Sequence, residues 1–317
     1  MSDKLKVGSM FAGIGGICLG FKQASCEIAW ANEIDADAAK TYRHNFGDAF
    51  LVEGDIRKID AHSIPDIDVL TAGFPCQSFS VAGRQRGFAD PRGNLFFEVA
   101  RTLDEKRPRA ILLENVGNLI EHDAGRTFLV IYNSLAQFGY FVKYKVMDAQ
   151  KYADIPQKRE RIFLVGFHDF GDCERFSFPD EIPPTQSVFD LIDIKEKHSD
   201  CYYYDESSPY YKNLIASVKN QNRVYRINDE GGSKGSQNSP TLVASMGDYF
   251  YRVPIIKDDF GIRRITPHEC LKLQGFPSDF AFPNGITQKE AYKQSGNSVC
   301  VPLVRRIAEN IKKALFF

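Results

Sequence analysis

Short apolar runs alternate with segments of helical periodicity through the first half of the chain. Residues 5–11 read as a buried strand that ends in a glycine-rich turn, and residues 16–23 as the helix after it. Residues 27–31 predict a second strand and 36–44 a second helix. Further strands are predicted at 68–72, 110–113 and 161–167, with further helices at 94–104 and 128–137. Strand and helix alternating at this spacing imply a parallel sheet with helices on both faces.

The pattern changes after about residue 178, where Pro179, Pro183 and Pro184 punctuate the chain. Residues 201–252 are rich in Tyr, Asn, Ser and Gly and read as irregular structure with short strands. Helical periodicity returns from Thr266, and a final helix is predicted at 302–315. The expected division is therefore a large domain made of 1–178 plus 262–317, its tail returning to the sheet, and a smaller domain at 179–261. No internal repeat or low-complexity stretch interrupts either.

Composition changes this picture little. With 317 residues, 43% hydrophobic and 26% charged, the chain can bury a sizeable core, which argues against disorder. A net charge of -1 announces no nucleic-acid partner, so any such surface must come from local clustering of Lys and Arg. The seven cysteines are odd in number and contain no CxxC pair, which argues against a zinc site or a disulfide framework and for a reducing compartment. No signal-peptide core opens the chain and no apolar stretch is long enough to span a bilayer, so a cytoplasmic location is expected.

Candidate chemistry begins at Phe11-Ala12-Gly13-Ile14-Gly15-Gly16, between a strand and a helix. Glycines there let a ligand approach the backbone and the helix N-terminus. The turn lacks the GxGxxG pattern of a nicotinamide oxidoreductase. Glu33, about twenty residues on, is placed to bond ribose hydroxyls, and Asp55 to accept from an adenine amino group. Two acids without a phosphate-binding cation suit a nucleoside lacking phosphates, such as S-adenosylmethionine. A plain tight turn with solvated carboxylates is the competing reading.

Cys76 lies in Gly73-Phe74-Pro75-Cys76-Gln77-Ser78-Phe79-Ser80, directly after a predicted strand. Loops at such strand ends are where these sheets place chemistry. Most free cysteines are inert and buried, and the apolar settings of Cys18, Cys26, Cys270 and Cys300 fit that description. Glu114 ends the next strand. Arg159 and Arg161, alternating on an extended segment, are expected to share a face and to invite a carboxylate, a phosphate or a base carbonyl. A solvated charge run is the alternative.

Together these stretches resemble the DNA (cytosine-5) methyltransferase family, in particular its compact bacterial restriction–modification members. FAGIGG, NEID, GDI, GFPCQSFS, ENV, QKRER, RRITPHECLKLQGFP and QSGNSV stand in the family's order, and only residues 178–261 lie outside the match. The resemblance implies a Rossmann-like, doubly wound α/β sheet with a smaller, irregular or β-rich target-recognition domain. It implies methyl transfer from S-adenosyl-L-methionine to carbon 5 of a cytosine flipped out of double-stranded DNA, with S-adenosyl-L-homocysteine as product and no metal. The catalytic residues it implies are Cys76 as nucleophile, Glu114 at the base edge, and Arg159 and Arg161 at the carbonyl oxygen and the thiolate. The cofactor would lie against Phe11, Gly13, Ile14, Gly15, Gly16, Glu33, Ile34, Asp55, Ile56, Pro75, Leu95 and Asn297. DNA contacts fall to Gln77, Ser80 and Arg84 in the cysteine loop and to Arg226, Lys234 and Thr241 in the middle segment. The resemblance also implies a monomer and a possible cognate endonuclease acting on the same site. One branch of the family modifies transfer RNA, which leaves an RNA substrate as the rival; the intact Cys76, Glu114, Arg159 and Arg161 set argues against a catalytically silent relative.

Overall fold

The computed structural model describes residues 4–48, 50–74, 95–227 and 233–316. The chain divides into two units, one formed by Met1–Met147, Glu160–Asp180 and Leu303–Phe317, the other by Asp148–Arg159 and Glu181–Pro302.

In the first unit, Lys6–Met10 (β1), Glu27–Glu33 (β2), Leu51–Glu53 (β3), Val69–Gly73 (β4), Ala110–Val116 (β5), Phe141–Asp148 (β6) and Glu160–Phe167 (β7) form a sheet in the order β3-β2-β1-β4-β5-β7-β6. Pairings among β1 to β5 are parallel, and β7 runs antiparallel to β5. The first four residues of both β4 and β5 are buried, as strands covered on two faces must be. Helices Gly16–Gln23 (α1), Ala36–Phe46 (α2), Leu95–Lys106 (α3) and Arg126–Gln137 (α4) alternate with the strands. The chain winds outward from β1 to β3 and then returns to place β4 beside β1. Strand order therefore reverses there, and a crevice opens at the carboxyl ends of β1 and β4.

Two strands of this sheet went unpredicted. β3 is only three residues long. β6 has no apolar run, because Val142, Tyr144 and Val146 alternate with Lys143 and Lys145 on a half-solvated edge strand. The last helix, Val301–Phe316, does return to this unit from Leu303 onward. A Cβ at Gly20 of α1 would lie 2.6 Å from Val304, and Arg109 Nη2 donates to the Leu315 carbonyl at 2.7 Å.

The second unit holds an antiparallel sheet of Val224–Ile227 (β8), Ser233–Ser236 (β9), Ile255–Lys257 (β10) and Ile262–Arg264 (β11), in the order β11-β10-β8-β9. Its two faces carry separate cores, as the two-residue period of a strand requires. Val224 and Ile256 join Leu242, Met246, Ile265, Cys270 and Tyr292, whereas Tyr225, Ile227 and Ile255 join Leu214, Val218 and Ile262.

The expected assignment of residues 262–302 to the large domain is corrected here, since they pack within the second unit. The buried Arg263 guanidinium ties β11 to Asp258 at 2.7 Å and to Glu269 at 2.7 and 2.8 Å. Glu269 also closes the capping box with Thr266 that starts helix Pro267–Lys272. Farther on, Gly296 in helix Gln288–Asn297 approaches Val243 so closely that a Cβ would sit 2.2 Å from its carbonyl carbon. No helix among the described residues is long and apolar enough to cross a membrane.

Candidate functional site

The glycine turn occupies the carboxyl end of β1. Phe11 and Gly13 both take positive φ, at 54° and 57°, and among the described residues no atom lies within 4 Å of where a Gly13 side chain would project. Gly15, at φ 89°, is strained by any other residue, because a Cβ would meet the Phe46 ring at 2.4 Å. Ile14 and Gly16 are buried at the start of α1. Asn32 fastens the neighbouring loop through its side-chain amide to the Val52 and Gly54 carbonyls, at 3.0 and 2.9 Å.

Glu33, at the end of β2, faces this turn. Its carboxylate accepts from the backbone N–H of Gly13 at 2.7 Å and from those of Ile34 and Asp35 at 2.8 Å. A carboxylate offers about four acceptor positions, so one remains for a ligand hydroxyl. The next residue, Ile34, is an apolar side chain left 62% exposed. An open glycine cradle, an anchored acid and an uncovered aliphatic surface together fit a nucleoside with a flat base.

Asp55 is occupied. Its carboxylate caps the turn Ile56–Lys58 and accepts from Arg57 Nε at 2.9 Å, and that guanidinium holds its pKa down at about 2. Arg57 is a neighbour that the sequence reading overlooked. Ile56 is buried in the core, so only its backbone can face a ligand, while Leu95 is half-buried at the first position of α3.

Glu114 marks the carboxyl end of β5, opposite Gly73 of β4 in register. Across β5 and β7 it is the diagonal neighbour of Arg161, since Val116 is the residue paired with Arg161. The two side chains, both largely buried, form an ion pair with Arg161 Nε 3.1 Å from Glu114 Oε1. Asn115 Nδ2 donates to the Phe74 carbonyl at 2.8 Å, pinning the chain where it leaves β4. That role for Asn115 was also missed, although it lies within the ENV motif.

Arg159 is not presented alongside Arg161 as expected. It is 2% exposed and its guanidinium donates to three carbonyls of the second unit: Leu242 at 2.8 Å, Gly296 at 3.2 Å and Ser298. Gln157, fully buried, donates to the Leu273 carbonyl at 2.7 Å and accepts from the Leu242 N–H at 3.2 Å. Both residues stitch the Thr241–Leu242 segment to the chain around residues 273–298. Thr241 itself donates to the Lys158 carbonyl at 2.6 Å. Asn297 is exposed at the end of its helix, and Arg226 and Lys234 stand exposed and directly opposite one another on β8 and β9.

Pro75, Cys76, Gln77, Ser80 and Arg84 lie outside the described residues. Of the other six cysteines, Cys18, Cys26, Cys173, Cys270 and Cys300 are buried and Cys201 is exposed. Burial pushes the Cys26 thiol up to about 11 and raises those of Cys18 and Cys270, the opposite of what a nucleophile needs.

The sequence matches the family described as C-5 cytosine-specific DNA methylase over residues 5–313. It is 45% identical over 315 residues to the type II methyltransferase M.Bsp6I of Bacillus sp. (strain RFL6), spanning 98% of this chain and 99% of that one. The type II methyltransferase M.SsoII of Shigella sonnei is 40% identical over 326 residues, or 99% of this chain and 82% of its own. Among solved structures, the S. pombe Dnmt2 methyltransferase shares the fold with a TM-score of 0.74 and 22% identity, covering 99% of this chain and 100% of that chain.

Proposed function

The chain belongs to the C-5 cytosine-specific DNA methylase family, and from that membership we propose that it methylates carbon 5 of a cytosine swung out of double-stranded DNA, with Cys76 as nucleophile. The Glu114–Arg161 ion pair carries this reading. It sits at the strand end beside Gly73 and Phe74, and Cys76 follows two residues later in the sequence.

Carbon 5 of cytosine is a poor nucleophile until sulfur adds to carbon 6. The Cys76 thiolate forms the S–C6 bond and drives the ring electrons onto carbon 5. Glu114 holds ring N3 and the exocyclic amine, where the adduct gathers charge. Arg161 orients Glu114 and keeps further N–H groups for the base carbonyl. Its positive charge also favours the thiolate. Arg159 acts at one remove, by positioning the segments it bridges. When bound, S-adenosylmethionine would offer its sulfonium methyl to carbon 5, with S-adenosylhomocysteine as the leaving group. A base, in this reading a bound water, takes the carbon 5 proton, and the S–C6 bond breaks to restore Cys76.

The cofactor is held by Phe11, Gly13, Ile14, Gly15, Gly16, Glu33, Ile34, Asp55, Ile56, Pro75, Leu95 and Asn297. The open space at Gly13 and the free acceptor position on Glu33 support this. Asp55 must share its carboxylate between Arg57 and the adenine amine. Gln77, Ser80 and Arg84 contact the strand. Arg226 and Lys234 bind phosphate, which removes the repulsion of two cations facing each other across a ladder. Thr241 touches the target nucleotide's backbone. In this reading the enzyme is a cytoplasmic monomer that protects DNA from a cognate endonuclease, a role that fits relatives named type II methyltransferases.

Incubation with duplex DNA and S-adenosylmethionine, followed by bisulfite sequencing, tests the reading. Protected cytosines at one short recurring sequence are expected. Unmodified DNA, or transfer RNA accepting methyl groups in its place, would refute it.

A further inference from the structure

We propose that the second unit contains a nucleotide-binding cavity distinct from the residues assigned to reading DNA. A cavity of about 460 Å³ lies among the helix Tyr211–Ser217, the turn joining β10 to β11, and the segment around Tyr203 and Tyr204. Arg226, Lys234 and Thr241 do not line it. Its volume is in the range of small-molecule sites.

The lining combines rings with unpaired positive charge. Tyr203, Tyr204, Tyr211 and Phe260 contribute aromatic surface. The Tyr203 hydroxyl donates to Asp258 Oδ2 at 2.9 Å and accepts from the His198 N–H at 3.3 Å, so this ring is fixed before any ligand arrives. The Tyr204 hydroxyl is buried, without a hydrogen-bond partner among the described residues, and points away from solvent, so this residue offers the cavity its ring and not its oxygen. Lys219 and Lys257 also line the cavity, and neither has an ion-pair partner among the described residues. A third cation, Lys197, lies 3.6 Å from Asp200, the one acid among the described lining residues.

Each part excludes a simpler occupant. A purely apolar ligand would strip water from two ammonium groups and offer nothing in return. Bare phosphate would leave the rings and the apolar wall of Ile215, Val218 and Ile262 uncovered. A planar ring carrying a phosphate meets both demands, with the base stacked on tyrosine and the phosphate between lysines. That chemistry is a nucleotide, either free in solution or part of a nucleic-acid strand. The inference stands whether or not the methyl-transfer reading does.

Titration of the full chain with thymidine 5′-monophosphate tests it, by calorimetry with S-adenosylhomocysteine saturating. Saturable binding is expected, with thymidine alone and inorganic phosphate alone each weaker by about tenfold or more. Tyr211→Ala, and the double change Lys219→Met with Lys257→Met, should each weaken binding by about tenfold. Lys219→Arg with Lys257→Arg should retain most of it. Displacement of the nucleotide by a short thymidine oligonucleotide would identify a strand as the source, and failure to displace it a free nucleotide. No saturable binding, or equal affinity in the folded Met double variant, would overturn the proposal. Methyl transfer to duplex DNA, measured on the same unsubstituted protein, reports separately on the catalytic reading.

Discussion

Glu114 and Arg161 are one unit chemically, because each is largely buried and the other is its charged neighbour. Glu114→Gln keeps the shape and removes the charge. It should lower methyl transfer by about 10²-fold or more with DNA binding retained, as loss of a group facing developing charge does. Gly15→Ala places a Cβ against the Phe46 ring at positive φ, and should cost about 1–3 kcal/mol of stability by urea denaturation. The two arginines of QKRER should separate experimentally. Arg159→Met removes three carbonyl contacts and is expected to destabilise the fold by about 2–4 kcal/mol. Arg161→Lys should leave the melting temperature nearly unchanged while slowing transfer; equal stability losses for both would contradict this division. Alternation along an extended segment indicated which residues share a face. It could not indicate that one guanidinium serves the fold and the other a carboxylate. In the same way, Asp55 was legible as an acid near the glycine turn, but its capture by Arg57 depends on the local turn that Asp55 itself caps.

At the level of elements, long periodic segments were readable and short or half-solvated ones were not. α1 falls at the residues its periodicity predicts, whereas β3 is too short to carry a pattern and β6 alternates on an edge. The boundary near residue 178 was marked by prolines. The placement of residues 262–302 was not legible, because it depends on the buried Arg263 cluster, which runs from Asp258 to Glu269 across the expected boundary and reads in the sequence as ordinary charge. Burial works to raise the Glu269 carboxyl, but His198 and Arg263 overcome it and hold the pKa at about 2. Its folded value lies below the ordinary value of about 4.3, so its stabilisation is present above that pH and fades as the pH falls toward 2. Glu269→Gln should therefore cost about 3 kcal/mol near neutrality. The gap from the unsubstituted protein should narrow below about pH 4, as read by denaturation across a pH series. The β8–β9 ladder makes a different prediction. If Arg226 and Lys234 each meet a phosphate, Arg226→Ala and Lys234→Ala should each reduce the salt dependence of DNA binding by about one counterion. An unchanged slope would place the DNA elsewhere.

For the whole molecule, a formal charge of -1 means that attraction to DNA must come from local features and not from bulk charge. Motif order along the chain identified the family, and the strand order puts its reversal point at the carboxyl ends of β1 and β4, where FAGIGG begins. In the proposed mechanism a Cys76–cytosine bond forms and must be broken by removal of the carbon 5 proton. Cys76→Ala should abolish transfer and leave DNA binding measurable in a gel-shift assay. Duplex DNA with 5-fluorocytosine at the target isolates that bond, because fluorine replaces the proton that elimination requires. With S-adenosylmethionine present, mass spectrometry should find a denaturation-resistant complex whose modified peptide contains Cys76. Turnover of competent DNA with no trapped species, or trapping at a different residue, would contradict the account.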